Sequence, residues 1–116
     1  MKIATWNVNS LRIRLPHVLQ FLKDEQCDVI GLQETKLDDD KFPEAEIREL
    51  GYSCLFSGHK GYNGVAILTR DGSAAVSDVS FGVPGYPDPQ RRLAAATITA
   101  PVSYTHLRAH ETRSNL

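Results

Sequence analysis

Residues 2–8, KIATWNV, carry β-branched and aromatic side chains and run into the polar pair Asn9-Ser10, a pattern that predicts a strand entering a loop. Pro16 follows, a residue favoured in the first turn of a helix because its missing N–H would be unpaired there anyway. Val18, Leu19 and Leu22 recur at helical spacing behind it, which predicts a helix over about residues 15–25. The next apolar run, within CDVIGLQE, predicts a second strand over about residues 28–33. Strand, helix and strand in so short a span form a βαβ unit, and the two strands of such a unit run parallel.

Farther on, Pro43 to Leu50 reads as a short helix closed by Gly51. Residues 52–56 and 64–68 read as two strands joined by the glycine-rich turn SGHKGYNG. Residues 72–90 contain GVPGYPDP, which reads as a loop, after which Arg91-Arg92 opens an apolar strand from Leu93 to about Thr99. The predicted fold class is α/β, with no internal repeat and no low-complexity tract.

Parallel strands place their carboxyl ends along one edge, where open α/β sheets bind ligands. Asn7 closes the first strand and Glu34 the second, so residues 27 positions apart should be neighbours there. A hard cation such as Mg²⁺ takes one or two carboxylates together with water and substrate phosphate. Glu34 can supply the anionic oxygen, and Asn7 either a neutral oxygen or a hydrogen bond that orients the carboxylate. Asn9 belongs to the same loop. Lys36, two positions beyond Glu34, is either a surface lysine or a cation that keeps nearby carboxylates ionised and neutralises phosphate. Arg12, and less directly Arg14, open the loop after the first strand, where backbone phosphates are commonly bound; each is otherwise a plain solvated charge.

Composition narrows the classes. A chain of 116 residues suffices for one small domain, and 41 % hydrophobic with 23 % charged residues argues against disorder. No apolar run approaches the ~20 residues that span a bilayer. The opening MKIATWNVNS is not a secretory leader, so a cytoplasmic location is expected. Cys27 and Cys54 lack CxxC spacing and read as core residues rather than a redox pair. A net charge of −1 neither favours nor excludes nucleic acid, because a basic rim and an acidic metal site cancel in the sum.

WNVNSLRIR, GLQETK at 31–36, GYNGVAIL at 61–68 and QRR at 90–92, in that order, resemble the exonuclease III / AP-endonuclease branch of the endonuclease–exonuclease–phosphatase superfamily, nearly collinearly from Met1 to about Thr99. The resemblance implies the N-terminal part of a DNase I-like four-layer α-β-β-α sandwich. It also implies a DNA-repair nuclease that hydrolyses phosphodiesters with Mg²⁺, or with Mn²⁺ in its place. Such an enzyme incises beside abasic sites and removes nucleotides or blocked groups from 3′ ends of double-stranded DNA, and its parent form would be a monomer with no membrane partner. The position matching Glu34 is a metal ligand in that family, and the one matching Asn7 lies in the metal and active-site hydrogen-bond network. Arg92 matches a DNA-phosphate contact, with Arg91 less direct. Tyr62 and Asn63 would pack on the duplex or the abasic sugar, although a turn Asn needs no function to explain it. His17 and His59 receive no role.

The family's later tyrosine, the Asp/Asn pair that handles the attacking water and a terminal Asp-His pair have no counterpart in the chain, so the 116-residue polypeptide is expected to be inactive. A sandwich cut near its middle is also expected to leave inner apolar faces uncovered. Residues 1–101 read as the truncated domain. From Val102 the text VSYTHLRAHETRSNL loses the family pattern and any strand alternation. His106 and His110 share the spacing of an HExxH zinc helix, but Leu107 stands where its Glu would be. VSYTHLRAHET is also one reading frame of a transposase-type sequencing adapter, so 102–116 is expected to be a disordered tail of artefactual origin. The rival readings are another phosphodiesterase or phosphatase branch of the superfamily and a non-catalytic DNA-binding fragment.

Overall fold

In the computed structural model, strand β1 (Ile3–Asn7) and strand β2 (Val29–Gln33) pair in parallel, with helix α1 (Leu11–Glu25) crossing between them. The structure describes residues 1–59, 61–73, 75–81, 93–99 and 104–110, with 59, 93 and 104–110 as backbone. The predicted βαβ unit is therefore present, with Asn7 opposite Gln33 and Glu34 one residue past the strand end.

Helix α1 begins at Leu11 rather than near residue 15. Its start is set by long-range bonds: the N–H of Ser10 donates to the Glu34 carbonyl at 2.8 Å and that of Leu11 to the Thr35 carbonyl at 2.9 Å. The Leu11 side chain is fully buried, which anchors the turn further. Pro16 consequently lies inside the helix, where it removes one i→i−4 donor. Arg12 and Arg14 occupy the exposed first turn of α1 rather than a loop.

Strands β3 (Tyr52–His59) and β4 (Tyr62–Arg70) extend β1–β2 antiparallel to a sheet of order β1-β2-β4-β3. Both run deeper into SGHKGYNG than expected, so that His59 already pairs with Tyr62. Helix α2 (Glu44–Glu49) precedes β3 and is closed off by Gly51, whose φ of 88° suits a residue without Cβ and whose N–H donates to the Arg48 carbonyl. A short 3-10 turn, Asp39–Lys41, links β2 to α2.

Period-two alternation gives this sheet two apolar faces. Ile30, Leu32, Ala66 and Leu68 face Val18 and Leu22 of α1, Ile47 of α2 and Tyr52. Val29, Val65 and Ile67 face the second sheet through Ala94, Ala96 and Ile98. That sheet has the order β5-β6-β7, antiparallel throughout, from β5 (Ala75–Phe81), β6 (Leu93–Thr99) and β7 (Tyr104–His110). Helices, first sheet and second sheet make three layers among the described residues, and β6 covers part of the inner face expected to lie bare.

Two segments depart from the sequence reading. Strand β5 falls inside the 72–90 stretch, for which the sequence predicts only a loop; its side chains are mostly exposed, so apolar alternation is missing and pairing with β6 defines it. Strand β7 falls inside the tail expected to be disordered, and it takes the far edge of β6 with Leu93 opposite His110. An edge strand needs backbone partners more than an apolar pattern, which is why neither was apparent. Conformation and origin are separate properties, and the strand concerns only the first.

Candidate active site

The chemistry-bearing side chains meet at the carboxyl edge of β1 and β2. Asn7 Nδ2 donates to Glu34 Oε2 at 2.6 Å, and Asn7 Oδ1 accepts the N–H of Asn9 at 3.1 Å. Lys36 Nζ donates to Asn9 Oδ1 at 2.7 Å and lies 3.7 Å from Glu34 Oε1. Asn7, Glu34, Asn9 and Lys36 thus form one connected polar group. Both ends of the Asn7 amide are engaged within it, the Nδ2 end on the Glu34 carboxylate and the Oδ1 end on the Asn9 N–H. Glu34 and Lys36 side chains are 30 % and 28 % exposed, open to a substrate yet partly shielded from water.

Backbone strain concentrates here. Asn9, Ser10, Glu34, Lys36 and Asn63 all have φ between 46° and 91°, the left-handed region that residues with a Cβ avoid. Such conformations cost about 1–3 kcal/mol each and persist only where the surroundings over-determine them. The surroundings do so through the Ser10 and Leu11 bonds above. On the other flank the N–H of Thr35 donates to the Gly64 carbonyl at 3.2 Å, and that of Lys36 to the Asn63 carbonyl at 2.8 Å.

The remaining predicted residues divide clearly. Arg12 is exposed and lines a groove of about 860 Å³ beside the Asn7–Glu34 pair, together with Ser10, Lys36, Lys41, Phe42 and Gly61. Tyr62 is 53 % exposed at the start of β4. Asn63 is buried, and what it brings to the site is its backbone carbonyl. Arg91 and Arg92 lie outside the described residues.

Several residues that shape the edge had no signal of their own. Gln33 is buried and donates to Thr5 Oγ1 at 2.8 Å, tying the last turn of the β1–β2 ladder together. The exposed Asp39 accepts the N–H of Gly58 at 2.8 Å, which fastens the 3-10 turn to β3. Phe42 stacks on Phe56 with centroids 4.1 Å apart and planes within 3°, packing the groove wall against the same strand. Thr35, Gly58 and Gly64 form a close contact beneath the loop; the glycines were legible only as turn residues.

The donor set suits a hard divalent cation, which needs few protein ligands when phosphate and water supply the rest. Among the described residues no group of three or more His, Cys, Asp and Glu side chains converges. Glu34, oriented by Asn7, is the carboxylate that would hold such an ion.

Residues 4–115 match the Endonuclease/Exonuclease/phosphatase family model. The chain is 46 % identical over 71 residues to exodeoxyribonuclease III of Haemophilus influenzae, across 60 % of this chain and 26 % of that protein. It superposes on a 3′-5′ exonuclease from Neisseria meningitidis with a TM-score of 0.78 and 55 % identity, covering 84 % of this chain and 38 % of that one. An AP endonuclease from Archaeoglobus fulgidus gives 0.77 and 47 %, covering 84 % and 37 %. The chain therefore spans about a quarter of the length of that curated relative. With the two packed sheets of a DNase I-like fold and a family match along almost its whole length, the chain belongs to the endonuclease/exonuclease/phosphatase family, among relatives of exonuclease III and AP-endonuclease type.

Proposed function

We propose that this chain carries the metal-holding part of a DNA-repair nuclease of exodeoxyribonuclease III / AP-endonuclease type. Its substrates would be double-stranded DNA at abasic sites and 3′ ends, its cation Mg²⁺ with Mn²⁺ able to substitute, and its setting a monomer in the cytoplasm. The observation that carries the reading is the 2.6 Å bond from Asn7 to Glu34 across parallel strand ends, with the Lys36 ammonium alongside. When bound, the cation supplies positive charge to a phosphate oxygen at the moment of hydrolysis. Glu34 holds it, Asn7 fixes the carboxylate, and Lys36 and Arg12 neutralise phosphates next to the scissile bond. Tyr62 and the strand-leading Arg92 are proposed to meet the duplex.

We infer from the resemblance that the groups that activate water and stabilise the leaving oxygen are not among these 116 residues, so the polypeptide alone is proposed to bind metal without cleaving DNA. Robust abasic-site incision by the purified chain would refute that. Residues 102–116 are proposed to be adapter-derived. Independent sequencing reads that continue through the codons for Ala100–Val102 as printed would overturn this. The decisive test of the site is Mn²⁺ titration followed by electron paramagnetic resonance. The unsubstituted chain is expected to bind saturably and with Mg²⁺ competition, and Glu34→Gln to lose at least about tenfold in affinity. Equal affinity in the two chains would remove Glu34 from the metal site.

A further inference from the structure

Thr35 is an unusual residue for its place. It has left strand β2, yet its side chain is only 1 % exposed. Its Oγ1 occupies the space that a Cβ on Gly64 would fill and lies 3.4 Å from one built on Gly58. A Cβ on Gly58 would also collide with the Leu37 carbonyl. The two glycines, on paired strands β3 and β4, therefore make a notch in the sheet, and Thr35 sits in it.

On either side of Thr35 the chain is held in left-handed backbone, at Glu34 with φ 55° and at Lys36 with φ 57°. Five backbone hydrogen bonds fasten residues 34–36 around the notch. The Glu34 carbonyl accepts from Ser10, and the Thr35 carbonyl accepts from Leu11 while its N–H donates to Gly64. Lys36 donates its N–H to Asn63 and accepts that of Gly61 at 3.2 Å. We propose that Thr35 is a positioning residue, whose side chain keyed into the Gly58–Gly64 notch holds Glu34 and Lys36 left-handed. That seat aims the carboxylate at Asn7 and the ammonium at Asn9. Residues with a Cβ revert to right-handed or extended backbone when nothing prevents it. A single such reversal moves a side chain by far more than the ~0.5 Å that a metal-holding group tolerates.

Steric fit, and not the hydroxyl, carries the argument, so shape decides the variants. Thr35→Val keeps the shape, Thr35→Leu overfills the notch, and Ile67→Val lightens the core on the opposite face of β4. Each is made in the 116-residue chain and followed by thermal melting, by Mn²⁺ titration and by amide hydrogen exchange. Thr35→Leu is expected to weaken Mn²⁺ binding by at least about tenfold. The same variant should speed exchange at the Ser10 and Lys36 amides by at least tenfold relative to the β1–β2 ladder. Thr35→Val should leave both within threefold, and Ile67→Val should lower the melting temperature while moving neither. If Thr35→Leu does not fold, Thr35→Ala, which empties the notch, replaces it with the same expectation.

Unchanged local exchange in the folded variant would overturn the proposal, as would a loss no more local than that of Ile67→Val. The metal readout rests on the reading of Glu34 as a ligand. An unsubstituted chain that takes up no Mn²⁺ would sink that reading, and the exchange measurement then decides the role of Thr35 by itself.

Discussion

Substituting Asp28→Asn should destabilise the fold from the end of the sheet opposite the active site. Asp28 Oδ2 accepts the backbone N–H of Lys2 at 2.6 Å, and Oδ1 accepts from Arg70 Nη2 at 2.8 Å and from the Ser73 hydroxyl. One side chain thereby clamps the starts of β1 and β2 to the end of β4 and the turn after it. The carboxylate is 17 % exposed and Arg70 41 %. The Lys2 N–H first, then Ser73 and Arg70, hold the Asp28 carboxyl well below the usual carboxylate range. Asn keeps the shape but loses the charge, and it sets an NH₂ against one of these donors. A hydrogen bond to a charged group contributes about 1.5–3 kcal/mol, whereas an ion pair with a half-exposed partner adds about 1 kcal/mol or less. Among the described residues the buried Arg70 Nε has no hydrogen-bond partner, so nothing there offsets the loss. We therefore expect a loss of about 2–3 kcal/mol at neutral pH, or a fall in Tm of roughly 8–24 °C at ~4–8 °C per kcal/mol. The sign with pH follows from the lowered pKa. The stabilisation is fully present above the unfolded value near ~3.9 and is lost as pH falls through the folded one. Urea melts of both chains at neutral pH and at steps below about pH 5 should show a gap that narrows with acid. A gap that stays constant down to strongly acidic pH, or one under about 0.5 kcal/mol at neutral pH, would refute the clamp.

Three further outcomes are expected. Asn7→Ala should weaken Mn²⁺ binding about 10–100-fold while leaving the melting temperature within a few degrees, because it removes the group that orients Glu34; calorimetric titration checks it. Phe42→Ala should cost about 2 kcal/mol, less than a fully buried Phe, because Phe42 is half-buried where it stacks on Phe56; chemical denaturation reads this directly. Burial pushes the Cys54 thiol up to about 12, so the folded chain keeps it neutral and loses that contribution only as pH rises past the ordinary thiol value toward 12. Iodoacetamide at pH 8 should accordingly modify Cys54 at least about tenfold more slowly in the native chain than in denaturant, as peptide mass mapping would reveal.

What the sequence made legible was the part governed by short-range pattern. Apolar runs at 3–7 and 29–33 with a helical repeat between them define a βαβ unit. The geometry of that unit sets the ends of the two strands side by side and so makes Asn7 and Glu34 neighbours, in keeping with their 2.6 Å contact. Where pairing rather than pattern sets the structure, the text was silent. The first turn of α1 depends on carbonyls of Glu34 and Thr35, more than twenty positions away, and the strands at 75–81 and 104–110 exist through β6. Asn63 reads locally as a turn residue with an available side chain, but the hairpin buries that side chain and spends its carbonyl on Lys36.

The same distinction explains why the supporting residues of the site went unseen while its charged residues did not. A carboxylate or ammonium at a strand end carries its chemistry wherever it is, so Glu34 and Lys36 can be singled out before the fold is known. Their conformations cannot, because local preference opposes a left-handed Glu or Lys, and no neighbour in sequence supplies the compensation. It comes from Thr35 seated on Gly58 and Gly64, a contact that exists only once β3 and β4 have paired and β2 has joined them. The conformation proposed for metal binding is therefore a property of the completed four-stranded sheet rather than of the GLQETK segment. A peptide bearing that segment alone should hold Mn²⁺ no better than any isolated carboxylate. Affinity in such a peptide comparable to that of the whole chain would show that the strained loop is not what positions Glu34.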